Sequence, residues 1–292
     1  MRNTGNVELA VNSEKGRGLA APELGDRDHV QSLERGLALL LTFDAEHPAP
    51  TLAQLAQLTG FSRPAVRRFL ITLERLGYVR GHAGRWSLTP RVLLIGQHYT
   101  ESHALIEVAQ PHLLRLVEQT GESASLAVLD DAEVVYVGRV PVRRIMSINV
   151  QVGTRVPALA TSMGRVLLAW APPGVIDDVF TRRPPRPITP QTTSDPTALR
   201  DVLHQIRTQG WSVVSEELEL GLLSAAAPVR DRSGNVVAAL ASSTSTGRSS
   251  PDQLAATTVP LLVEVAGRIS ADLGFHHPPR HQRRTPLHEG FY

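Results

Sequence analysis

Seven arginines stand between Phe61 and Arg91 (Arg63, Arg67, Arg68, Arg75, Arg80, Arg85 and Arg91), against a single acid, Glu74. That stretch carries +6, whereas the 292-residue chain nets only +2. The positive charge is therefore local, which points to a surface for a polyanion. A guanidinium is a planar fork of donors that matches both phosphate and the guanine edge. Lys15 is the only lysine, so a general preference for arginine on a solvated face is the competing account.

The chemistry of a catalyst is harder to find. No cysteine is present, which excludes disulfides, thiolate nucleophiles and cysteine-bearing zinc sites. The sequence holds no glycine-rich phosphate loop, no G-x-S-x-G elbow and no H-E-x-x-H pair. Ser162 is followed three positions later by Arg165 rather than lysine. Glu216-Glu217 is a candidate acid–base pair, but two acids at a strand end are expected to face solvent. His98, His103 and His112 lack metal-ligand spacing. The expectation is a protein that is not an enzyme and needs no metal or cofactor. Without a long apolar run or a signal-peptide core, a soluble cytoplasmic protein is the simplest reading.

The elements that must position the arginines follow from periodicity. Ser32 to Asp44 places Leu33, Leu37, Leu40 and Leu41 at helical spacing, and His47-Pro48-Ala49-Pro50 breaks it. Thr51 caps a short second helix carrying Leu52, Leu55, Ala56 and Leu58. After the Thr59-Gly60 turn, Ser62 caps a third helix with Pro64 in its first turn, ending near Gly77. Val66, Phe69, Leu70, Leu73 and Leu76 form its inner side. Arg67, Arg68, Ile71 and Arg75 form its outer side, with Arg63 at the edge. Residues 78–80 and 85–88 flank a Gly81–Gly84 turn and read as a hairpin. Helix, helix, turn, helix, hairpin is the order of a winged helix-turn-helix. Its third helix would enter the major groove, with Ser62, Arg63, Arg67 and Arg68 near base edges. Arg75 extends that face, and Arg80 and Arg85 flank the wing. A basic three-helix protein-interaction module is the alternative. A nonspecific architectural DNA binder is another, but it would not need so large a second domain.

The chain divides into a disordered arm over 1–28, a DNA-binding domain over 29–89, a linker helix over 90–102, a second domain over 103–275 and a basic, disordered tail over 276–292. In the second domain, strands are expected at 125–129, 134–140, 144–150, 211–214, 224–229 and 236–242, with helices between them and a last helix from Pro251 to about Leu273. The fold class is α+β.

The stretches QSLERGLALL, RPAVRRFLITLERLGYVR, SLTPRVLLIG, GESASLAVLD and VVYVGRVPVRRIMSINVQVGTRVPALATSMGRVLLA, with SEELELGLLSAAAPVRDRSGNVVAAL, resemble the IclR family of bacterial regulators from about Val30 to Leu273. The likeness is to the branch that governs protocatechuate/β-ketoadipate and 4-hydroxybenzoate catabolism. The resemblance implies a winged helix-turn-helix joined to a GAF/PAS-like effector-binding domain. It implies homodimers or dimers of dimers, promoter DNA as one partner and a small carboxylic acid as the other. Carried onto this chain, it places the effector loop at Ala160, Thr161, Ser162, Met163 and Gly164. The opposite walls would be Met146, Glu216, Ser224, Ala241 and Ser243. Amide groups at the start of the helix from Thr161 suit a carboxylate, and Arg144 or Arg165 would add charge if turned inward. Ala241 departs from the family pattern, in which a polar residue is frequent, and implies a more apolar pocket. Helix capping with solvated arginines is the structural alternative.

Overall fold

The computed structural model describes residues 29–96, 104–142 and 150–276. The expected arm, the far part of the linker helix, the expected strand at 144–150 and nearly all of the tail lie outside these residues. The chain divides at Ser102/His103 into two compact units.

In the first unit, α1 (Gln31–Leu40), α2 (Leu52–Thr59) and α3 (Arg63–Arg75) precede a hairpin of β1 (Val79–His82) and β2 (Arg85–Leu88). Helix α1 stops short of Asp44. The Asp44 carboxylate instead accepts the N–H groups of Glu46 and His47, turning the chain before Pro48. Thr51 and Gln54 form a reciprocal capping box at the start of α2. Thr51→Ala removes it and is expected to lower the stability of this unit by about 1 kcal/mol, read as a lower denaturant midpoint with an unchanged slope. The core joins Leu39, Leu55, Val66, Leu70, Leu73 and Val79. Leu76, expected inside, is half exposed because α3 ends at that position. Ala83 and Gly84, both at positive φ, make the tight hairpin turn. After Thr89 the linker begins as a 3-10 turn over Pro90–Val92, followed by a helical turn at 93–96.

The second unit is built on one antiparallel sheet. Its strands are β3 (Ser123–Asp130), β4 (Glu133–Val140), β5 (Arg155–Pro157), β6 (Ser212–Ser215), β7 (Leu222–Arg230) and β8 (Val236–Ser245), in the spatial order β5-β4-β3-β8-β7-β6. The short β5 was not expected. Helices α4 (Ala104–Thr120) and α8 (Pro251–Asp272) cover one face, packing Leu113, Leu116, Leu262 and Ile269 on Leu126, Leu223 and Leu240. Helices α5 (Ser162–Trp170), α6 (Pro173–Arg182) and α7 (Pro196–Gln209) cover the other, around Met163, Leu168, Leu199 and Tyr136. Helix α8 is long and apolar enough to cross a membrane by length and composition. Its buried stripe, from Leu254 to Ile269, packs in this core.

Strict alternation fails at one place in the sheet. Leu126 opposes Gly138, yet Ala127 opposes Tyr136, so Val137 is an extra residue in β4. This β-bulge turns the side chains on its two sides out of phase.

Candidate functional site

Helix α3 separates its two chemistries cleanly. Val66, Leu70 and Leu73 are buried, while Ser62, Arg63, Arg67, Arg68, Ile71 and Arg75 are exposed. Ser62 holds the N-cap position with extended backbone, but its side chain makes no capping bond. That differs from the expected cap, and it leaves the hydroxyl beside the open N-terminus. Arg63, Arg67 and Arg68, with Leu52, Pro64 and Ile71, line a shallow groove of about 400 Å³. Arg80 and Arg85 are exposed on the hairpin. Arg85 also donates to the Ala49 carbonyl at 3.0 Å, and Trp86 donates to Pro50, so the wing is tied to the segment before α2. Arg91 lies over the Tyr78 ring and Arg35 over Phe61. Among the described residues, none of the seven arginines between Phe61 and Arg91 pairs with a carboxylate. Within the described residues their charge is left without a paired carboxylate, which suits a partner made of phosphates.

The second candidate is the start of α5. Thr161 is its N-cap, and the Thr161 hydroxyl accepts the Gly164 N–H at 3.1 Å. Gly164 is thereby committed to the cap rather than open to a carboxylate. It must also be glycine, because a Cβ there would stand 2.1 Å from the Ala158 carbonyl oxygen. The N–H groups of Ser162 and Met163, by contrast, meet no acceptor among the described residues, although both residues are buried. Orphan amides at a buried helix start are normally satisfied by something outside the helix. Ala160 is buried beside them.

The Ser162 hydroxyl meets Ser224 Oγ on β7 at 3.0 Å. Cross-strand register puts Ser224 opposite Ser243 and Ser243 opposite Ser123, in one row on one face. The next row on that face is Ala226, Ala241, Ser125 and Arg139. The structure thus brings Ser162, Met163, Ser224, Ala241 and Ser243 to one end of the sheet. Glu216 stands apart. At a positive φ of 59°, its carboxylate accepts the Gly221 N–H and the Thr246 hydroxyl, holding the β6–β7 loop. Arg144 and Met146 lie outside the described residues.

Two expectations are corrected. Arg165 is not solvated, and Glu217 does not face solvent. Their side chains form a buried bidentate pair, with N···O distances of 2.7 and 2.6 Å. Arg165 Nε also donates to the Leu159 carbonyl, and Glu217 accepts the Thr193 N–H. Arg165 is thus turned inward but already matched in charge, so it ties α5 to two loops rather than offering a free cation. Sequence reasoning also passed over Arg139, Ser125 and Tyr136. Arg139 donates to Ser125 Oγ at 3.3 Å. Burial lowers the Arg139 guanidinium from its ordinary value, with Tyr136 opposing. Burial pushes the Tyr136 phenol up to about 12, with Arg139 pulling the other way. One group, Asp44, Glu46 and His47, gathers metal-type ligand atoms among the described residues. Its Asp44 already holds the local turn.

Residues 32–83 match the IclR helix-turn-helix domain, and residues 97–271 match the C-terminal domain of bacterial IclR transcriptional regulators. The chain is 40% identical over 240 residues to the Pca regulon regulatory protein of Pseudomonas putida, covering 82% of each chain. It is 35% identical over 255 residues to the p-hydroxybenzoate hydroxylase transcriptional activator of Acinetobacter baylyi, covering 86% of this chain and 94% of the other. An IclR homologue from Microbacterium hydrocarbonoxydans, solved in complex with 4-hydroxybenzoate, superimposes with a TM-score of 0.74 at 28% identity, over 83% of this chain and 99% of that one. The winged helix-turn-helix and the helix-flanked sheet domain agree with these matches: the chain belongs to the IclR family of DNA-binding transcriptional regulators.

Proposed function

We propose that this regulator reads its operator with Arg63, Arg67 and Arg68, and that an aromatic acid, or a ring-cleavage product of one, binds at the start of α5. The observation that carries the effector site is the pair of buried Ser162 and Met163 amides without an acceptor, beside the Ser162–Ser224 hydroxyl contact. A helix N-terminus presents partial positive charge to a carboxylate. The aromatic class is supported by the relatives that govern p-hydroxybenzoate and Pca genes and by the homologue solved with 4-hydroxybenzoate.

The acid shifts the protein between DNA-binding states only through unequal affinity for them. Two half-sites call for two copies of the reading helix. Leu33 and Leu37 of α1 and Leu93, Leu94 and Ile95 after the wing are exposed rather than completing the core. These apolar faces support a homodimer, or a dimer of such dimers, acting in the cytoplasm without catalysis.

Calorimetric titration with 4-hydroxybenzoate, protocatechuate and β-ketoadipate tests the effector class. Saturable heat with at least one of them is expected, together with a change in operator affinity. No heat with any at millimolar concentration removes this class and favours a regulator of another carboxylic acid.

A further inference from the structure

The far end of the polar face holds a cation whose placement is a product of the bulge. Simple alternation from Tyr136 would put Arg139 on the α4/α8 side of the sheet. The extra residue Val137 reverses the phase, so Arg139 opposes Ser125, and Ser125 opposes Ala241. Arg139 therefore shares a face with Ser224, Ser243 and Tyr136. Bulges commonly re-aim a side chain in this way next to a functional site.

Between the two ends, the floor of this face is made of small side chains, Ser243 and Ser123 in the row of Ser224 and mostly alanine in the next. Ala226 and Ala241 stand side by side, with Ala239 in the following row. Ser224 is two strands and one row away from Ser125, whose hydroxyl accepts a hydrogen bond from the guanidinium. From strand spacing and rise, this is about 12 Å between backbones. A carboxylate held at the Ser162 end leaves the opposite end of a benzene ring, or of a linear chain, directed towards Arg139. Tyr136 stays protonated at neutral pH and brings no competing negative charge there.

We infer that Arg139, oriented by Ser125, is the specificity-determining residue of the effector site and receives an acceptor oxygen at the end of the ligand remote from its carboxylate. This rests on the effector site proposed above. The oxygen has two possible sources, a ring hydroxyl or a second carboxylate, and both present the same chemistry to a guanidinium. The small serine and alanine side chains of this floor suit a flat ring or a slender chain.

Two ligand pairs test the assignment, each differing only in the distal oxygen: 4-hydroxybenzoate against benzoate, and adipate against hexanoate. Affinities are measured on the full chain for wild type, Arg139→Leu and Arg139→Lys, with thermal melts and operator binding without ligand as folding controls. Wild type is expected to favour the oxygen-bearing member of at least one pair by about tenfold or more, the loss typical of a charge-assisted hydrogen bond. The favoured pair identifies the source of the oxygen. In Arg139→Leu the ratio falls towards one while benzoate or hexanoate binds as before, and Arg139→Lys retains part of the preference. Equal binding of both members by wild type, or an unchanged ratio in the variants, overturns the role of Arg139 alone. So does uniform weakening towards every acid. Failure of wild type to bind any of the four overturns this inference, and failure with protocatechuate and β-ketoadipate as well overturns the effector site itself.

Discussion

Arg165→Met is expected to destabilise the C-terminal unit by about 3–5 kcal/mol, the usual penalty for stranding one member of a buried ion pair. The variant leaves Glu217 enclosed, with only the Thr193 N–H against its carboxylate. Both side chains are almost fully removed from solvent, so little of this effect is lost to screening. The double variant Arg165→Met/Glu217→Leu removes both charges and is expected to recover most of the loss. Urea unfolding followed by far-UV circular dichroism measures the two midpoints. A single variant as stable as wild type would show that the pair contributes no more than a surface contact.

The largest functional effect is expected on DNA. Arg63→Ala/Arg67→Ala/Arg68→Ala should weaken operator binding by about a thousandfold, if each guanidinium contributes roughly 1–3 kcal/mol to base or phosphate contact. The salt dependence of the remaining affinity should be shallower, because fewer counterions are released on binding. All three side chains are exposed and outside the core, so the melting curve should hardly move. Fluorescence anisotropy on operator and random duplexes at fixed salt reads both quantities. Unchanged operator affinity would remove α3 as the reading element.

The DNA-binding unit was legible because its signals are local. A capping residue, a proline in the first turn and glycines at positive φ each act within a few positions, and the arginines alternate against an apolar stripe on the same helix. Most strands of the second unit were legible for the same reason. Strand order was not, since hydrogen bonding between β3 and β8 joins residues more than a hundred positions apart. Arg165 and Glu217 were misjudged because charge alone suggests solvent, and their partnership arises only when α5 meets the loop after β6. Arg139 was hidden by the bulge: in VVYVGRV the lone Gly138 hints at an irregularity, but nothing fixes that the two-residue period slips at Val137.

The bare basic face on α3 has a consequence for where the protein spends its time. Among the described residues it pairs with no carboxylate, so it is expected to hold duplex of any sequence besides the operator. Most copies would then be stored along the chromosome, moving by sliding and hopping. An acid that loosens the operator complex would redistribute these molecules among neighbouring base pairs rather than set them free in solution, so promoter recapture once the acid is consumed would begin from close by.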